Sequence, residues 1–278
     1  MKKKIKFAVL FSVAALACAA SFLYFQHKGA GQKKVIKVSG NIEATEVRLA
    51  FRVSGKIKEL LTDEGKMVAA KDTVARLETD ELIKIKAEAE AALKAAEFTY
   101  QRAKEDYGRL ENLFQAGAIS AQKRDTAKTS AESAKANADA LRASLELADT
   151  RLGFADLTSP LEGFVLTKSA EAGEVVQPGA TVYTVADLKN IWLTAYINET
   201  DLGRVKLNQE AGVAVDTYPG KFYKGRISFI SQEAEFTPKQ IQTTEERVKL
   251  VYRIKIMLDN ENLELKPGMP ADGFIKTE

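Results

Sequence analysis

The sequence holds one cysteine, one histidine and four methionines in 278 residues. So little cysteine excludes a disulfide framework, and the pairing of one cysteine with one histidine argues against a His/Cys metal cluster or a Cys–His nucleophile pair. Charge of one sign is also missing. The net charge of +3 comes from 41 Lys and Arg against 38 Asp and Glu, which is not the basic footprint of a nucleic-acid binder. No GxxxxGK[ST] phosphate-binding loop occurs, so any energy from nucleotide hydrolysis must come from a partner. Chemistry would fall to carboxylates, hydroxyls and lysines. The acidic pairs Asp80-Glu81 and Glu245-Glu246 have no histidine near them and read as solvated or salt-bridged faces. No cofactor, no metal and no nucleic-acid partner is expected, and the balance is against an enzyme.

What is present begins at the N-terminus. Four lysines in "MKKKIK" precede an uncharged, mostly apolar run from Phe7 to Phe25. At about 1.5 Å per residue, about 19 residues just span a bilayer core of roughly 30 Å. The lysines would stay in the cytoplasm and place the residues after His27 outside the inner membrane. A cleaved signal peptide is the competing reading, because Ala17-Cys18-Ala19 is A-x-A-like. The apolar run continues past that site, which favours an uncleaved anchor. Cys18 then reads as membrane filler and His27 as a juxtamembrane polar residue.

Two stretches repeat without a gap at an offset of 108 residues, "RVSGKIKELLTDEGKMVAAKDTVARL" (52–77) and "PLEGFVLTKSAEAGEVVQPGATVYTV" (160–185). Gly55 matches Gly163, Ile57 matches Val165, Gly65 matches Gly173, Val68 matches Val176, and Val74 matches Val182. Each half reads as short strands with glycine at the turns. Neither half buries its apolar face alone, so the two should pack together as one small β-sandwich.

Between them lies a long polar helical stretch broken at Gly117. Ala89, Ala96, Ala103 and Leu110 recur every seven residues beside Leu93, Tyr100, Tyr107 and Phe114. Ala127, Ala131, Ala134, Ala138, Leu141, Leu145, Ala148, Leu152 and Ala155 alternate steps of four and three. Two such seams joined by a tight turn predict an antiparallel coiled-coil hairpin with arms of about 50 Å. Gly117 suits the left-handed residue that ends the first helix, and Ser120 the N-cap of the second. After Asp187 the pattern returns to short strands between Gly, Pro, Asn and Asp turns, which predicts a small antiparallel barrel.

This arrangement resembles the HlyD-type periplasmic adaptors, or membrane fusion proteins, over essentially the whole chain. It is most similar to the short YbhG-like adaptors of ABC-type exporters, through "GRVKLNQEAGVAVDTYPGKFYKGRISFIS", "AEFTPKQIQTTEERVKLVYRIKI" and "LKPGMPADGFI". The resemblance implies an α+β fold: a lipoyl-type β-sandwich split by the hairpin, then a β-barrel, with an N-terminal membrane helix. The expected organisation is an anchor or signal segment at 1–27, then a linker with the first strand of the barrel or membrane-proximal region at 28–46. The lipoyl-type halves fall at 47–79 and 157–187, the hairpin at 80–156 and the barrel at 188–278. A full membrane-proximal domain is missing or reduced to the residues near 35–44.

The family carries an Arg-Leu-Ser pattern at the hairpin tip that engages a TolC-type outer-membrane channel, and Arg109, Leu113 and Ser120 are similar to it in order and spacing. Arg109 and Leu113 share a helix face. The bland alternatives are a solvated charge, a seam leucine and a simple cap. The resemblance further implies an inner-membrane transporter as partner, ABC type favoured, and a ring of copies, expected as a hexamer, because one hairpin cannot enclose a conduit. Lys239, Glu245, Glu246 and Arg247 are the candidate contacts for a neighbouring copy or for the transporter. A lipoyl or biotinyl carrier subunit is the alternative from another class, but its modified lysine sits on the turn that the hairpin replaces here. An anchored coiled-coil scaffold without a transport role is a third.

Overall fold

The computed structural model describes residues 35–236 and 250–277. The expected membrane anchor and the candidate contacts Lys239, Glu245, Glu246 and Arg247 lie outside the described residues. No helix among the described residues is long and apolar enough to cross a membrane. The described residues divide into two compact units, Thr45–Asp187 and a second made of those up to Ala44 together with those from Leu188 onward.

The first unit holds the repeat. Its strands are β2 (Gly55–Leu60), β3 (Met67–Val68), β4 (Thr73–Leu77), β5 (Asp156–Thr158), β6 (Gly163–Lys168) and β7 (Val175–Val176). The two halves exchange strands: Gly55 of β2 pairs with Val176 of β7, and Val68 of β3 with Gly163 of β6. The backbone bonds repeat at the sequence offset. Gly65 N–H donates to Val165 O at 2.8 Å while Gly173 N–H donates to Ile57 O at 2.8 Å; Val165 N–H reaches Lys66 O at 2.9 Å and Ile57 N–H reaches Glu174 O at 2.8 Å. Ile57, Val68, Val74, Leu77, Val165, Val176, Val182 and Val185 are all buried in one cluster, each worth about 1.5–3 kcal/mol of transfer free energy. The repeat is not symmetric in size. Tyr183 is fully buried, where the matching position of the first half is Ala75, and its hydroxyl donates to Thr62 O at 2.7 Å.

From this sandwich leaves the hairpin of α1 (Asp80–Gln115) and α2 (Ala121–Gly153). Asp80 and Glu81 in the first turn of α1 suit the positive end of the helix dipole. Burial follows the heptad seam: Leu93, Ala96, Ala131, Ala138 and Ala148 are buried, and Tyr100, Tyr107, Leu110, Phe114, Leu141 and Leu145 are half-buried between them. Alanine at the tightest positions lets the backbones approach. Across the seam Lys86 pairs with Asp149, and Arg142 pairs with Glu97 at 2.8 Å. These exposed pairs contribute little energy but match only one register.

The second unit is a barrel. It uses β1 (Val35–Ala50), β8 (Thr181–Asn198), β9 (Glu210–Val215), β10 (Tyr223–Ile230), β12 (Leu250–Asp259) and β13 (Pro270–Lys276). Neighbours follow the order β12-β10-β9-β13-β1-β8, and the pairing of β12 with β8 closes the ring. A short β11 (Glu235–Phe236) adds to the edge of β12. The lumen is filled by Ile36, Val38, Ile42, Leu193, Val213, Ile227, Ile254, Ile256 and Ile275. Buried Asn260 serves the turn after β12: its amide donates to Leu188 O at 2.8 Å and Leu265 O at 2.9 Å, and its oxygen accepts from Leu265 N–H at 3.0 Å. On the outer wall Asp272 accepts from Lys37 and Ser39, in that order of effect, and its carboxyl is held below the ordinary value of 3.8.

Candidate functional site

The far end of the hairpin is built by two capping motifs. Helix α1 closes in a Schellman turn: Ala118 N–H donates to Leu113 O at 2.9 Å and Gly117 N–H to Phe114 O at 2.9 Å. That turn needs a left-handed residue, and Gly117 supplies it with φ +73°. Three residues later Ser120, in extended conformation, caps α2 by accepting from Lys123 N–H at 3.4 Å. The connection is therefore short and hydrogen-bonded where the two helices meet.

This geometry places the three candidate residues together at one end. Arg109 sits in the penultimate turn of α1 with its side chain 72% exposed and paired to Asp106 one turn back. Leu113 is 46% exposed. It does not belong to the seam, which passes through its neighbours Leu110 and Phe114. An exposed leucine at the end of a polar helix is available for contact. Ser120 is exposed and does act as a cap.

Two features of this end are additions to the sequence reading. The Arg124 guanidinium of α2 stacks over the Phe114 ring of α1, 4.4 Å from its centroid, which ties the first turn of α2 to the last turn of α1. Asp106 fixes the direction of Arg109, a pair whose i, i+3 spacing is readable in the sequence. Between the helices below the tip runs a shallow groove lined by Arg102, Asp106, Leu110, Ser120, Lys123 and Thr126. A guanidinium, an isolated apolar side chain, a hydroxyl and a polar groove amount to a recognition surface. Among the described residues no group of three or more His, Cys, Asp or Glu is arranged to hold a metal ion.

The second candidate segment, with Lys239, Glu245, Glu246 and Arg247, lies between Phe236 and Leu250. Phe236 of β11 and Leu250 of β12 are paired strand neighbours. Glu235 and Arg253 form an ion pair there at 3.3 Å.

Comparison with known proteins agrees with this architecture. Residues 45–187, half of the chain, match the CzcB-like, barrel-sandwich hybrid domain family, and residues 191–271 match the YknX-like beta-barrel domain family. A UPF0194 membrane protein of Yersinia pseudotuberculosis is 29% identical over 97% of both chains. One from Citrobacter koseri is 28% identical over 98% of this chain and 97% of its own. Among solved structures, MacA from Actinobacillus actinomycetemcomitans superposes with a TM-score of 0.64 at 26% identity, covering 89% of this chain and 79% of MacA. The membrane fusion protein Spr0693 from Streptococcus pneumoniae shares the fold, with a TM-score of 0.69 at 19% identity over 87% of this chain and 99% of Spr0693. With its strand-exchanged sandwich, inserted hairpin and closed six-stranded barrel, the chain belongs to the HlyD-type periplasmic adaptor, or membrane fusion protein, family.

Proposed function

We propose that this chain is the adaptor subunit of a tripartite efflux or secretion system. It bridges an inner-membrane transporter of ABC type to a TolC-type outer-membrane channel and performs no catalysis itself. The segment 7–25 holds it in the inner membrane, its body lies in the periplasm, and six copies form the working ring. The observation that carries this reading is the hairpin end, where Arg109, Leu113 and Ser120 stand exposed on a turn small enough to enter a groove between channel helices. Arg109 hydrogen-bonds helix-end or carboxylate oxygens, Leu113 provides an apolar anchor, and Ser120 offers its hydroxyl beside its capping role. Lys239, Glu245, Glu246 and Arg247 provide charges of both signs for a neighbouring copy or the transporter.

The carrier-subunit alternative requires a lysine displayed on the sandwich turn, and here that position is the base of α1 and α2. The test is made in cells. Arg109→Asp and Ser120→Arg should each abolish export and cross-linking to the channel. Arg109→Asp should leave helicity and melting nearly unchanged, because an exposed ion pair contributes only about 0–1 kcal/mol. Leu113→Ser is an equally clean variant, since its side chain lies off the seam. Wild-type export in all three would remove the tip from the mechanism.

A further inference from the structure

Strand alternation should leave the outer wall of the barrel polar, and on one face it does not. Phe274 points outward from β13 between Asp272 and Lys276. Phe222, just before β10, is 62% exposed and meets Phe274 edge to face with ring centroids 5.6 Å apart. Gly212 of β9, paired to Phe274, leaves a shallow floor beneath these rings. Exposed Val35 and Met257 complete one continuous apolar concavity. Scattered exposed apolar side chains are ordinary; a contiguous cluster with a charged rim marks a contact surface.

The rim carries charges of both signs with a small basic excess, Lys37, Lys224, Arg226 and Lys276 against Glu210, Asp259 and Asp272. Lys37 pairs with Asp272 at 2.8 Å, and Lys276 lies 3.8 Å from Glu210. Lys224 and Arg226 also line the concavity, and neither has a carboxylate partner among the described residues. Asp259 and Glu210, the cross-strand neighbour of Arg226, are the carboxylates on the same wall. The chain leading in adds to the bias. Val35, which lines the concavity, follows the apolar run ending at Phe25 by ten residues. The nine between include Lys28, Lys33 and Lys34 and no acidic residue. Ten residues reach at most about 35 Å when fully extended.

We propose that this face of the barrel rests on the headgroup region of a bilayer containing anionic phospholipid, with Phe222 as the side chain that enters it. The proposal rests on the reading of residues 7–25 as a membrane anchor. The short tether confines the face to the neighbourhood of the bilayer surface. Aromatic rings are favoured at that depth, and each Lys or Arg brought near an anionic surface adds to the attraction. The occupant is a lipid surface, and a partner protein on the same face is the competing outcome.

The full chain is reconstituted in vesicles of phosphatidylethanolamine with phosphatidylglycerol. A nitroxide is placed by Phe222→Cys or, as control, by Phe229→Cys at the other end of β10, each with Cys18→Ser. A label at 222 should show a several-fold preference for relaxation by oxygen over a water-soluble nickel complex, and a label at 229 should not. Adding Lys224→Glu and Arg226→Glu should return residue 222 to water. A label at 222 that stays fully open to nickel overturns the proposal. Shielding that appears only when the transporter is co-reconstituted overturns it in favour of a protein contact. Flotation of the unlabelled chain reports the anchor separately. A chain left in the soluble fraction overturns the anchor reading and this proposal with it, whereas a chain that floats with residue 222 in water overturns this proposal alone.

Discussion

At the scale of single residues the repeat exposes a local conflict. Lys71 N–H donates to Ser159 O at 2.7 Å, as Gly179 N–H donates to Phe51 O at 3.0 Å at the matching place in the second half. Both turns need a left-handed residue, and Lys71 adopts φ +74° where the other half has glycine at +85°. That conformation costs a residue with a Cβ about 1–2 kcal/mol, whereas glycine loses roughly 0.5–1 kcal/mol of extra chain entropy instead. Lys71 is exposed and recovers none of this by packing. Lys71→Gly is therefore expected to stabilise the sandwich by roughly 0.5–1 kcal/mol, and Gly179→Lys to destabilise it by a similar amount. Urea denaturation midpoints of the two variants should move in opposite directions.

At the scale of elements, legibility depended on period. The hairpin seam was readable because a strict seven-residue recurrence of Ala and Leu along a polar helix is the pattern that an interhelical contact line requires. The β-repeat was readable because its glycines and valines kept one offset. The long strands were not. β1 and β8 each run unbroken through residues that belong to both units, and the polar stretch Asp187-Leu188-Lys189-Asn190 looks like a turn although it lies within β8. The strand is paired just before this stretch, at Ala186 with Phe164, and again at its end, at Asn190 with Asp259, so its surroundings override local propensity. Phe222 was equally hidden, since adjacent aromatics in "KFYKG" carry no phase that says which one faces out. At the hairpin end, Ser120 and Gly117 were legible as caps, whereas the Arg124–Phe114 stack depends on the turn geometry that brings two helices together.

The same seam sets a limit on substitution. Ala138 is 2% exposed against α1, so Ala138→Leu must push the helices apart. Overpacking of this kind costs about 1–3 kcal/mol. The hairpin of that variant should lose helical ellipticity at lower temperature than the parent, and proteases should cut it near the tip first. An unchanged melting curve would mean that the helices separate there at no cost.

At the scale of the whole molecule, the strand exchange fixes the order in which parts can form. Gly55 pairs with Val176 and Val68 with Gly163, so the first half of the sandwich has no partner until the second is made. At a synthesis rate of about 5–20 residues per second that wait is roughly 5–20 s. The hairpin lies between the halves, its contacts are helical or nest outward step by step from the tight turn, and it can zip up during that interval. Its base is itself a hydrogen bond, from Leu77 N–H to Ala155 O at 3.0 Å, so a zipped hairpin delivers the two halves side by side. Closing an open loop of that length would cost about 3–4 kcal/mol of chain entropy, which the hairpin removes from the later step. Pulsed hydrogen exchange during refolding should therefore find the amides of α1 and α2 protected before those of β2 and β7. The coiled coil is in this sense a built-in chaperone for the sandwich that carries it, and seam mutations should slow a β-sheet they never touch.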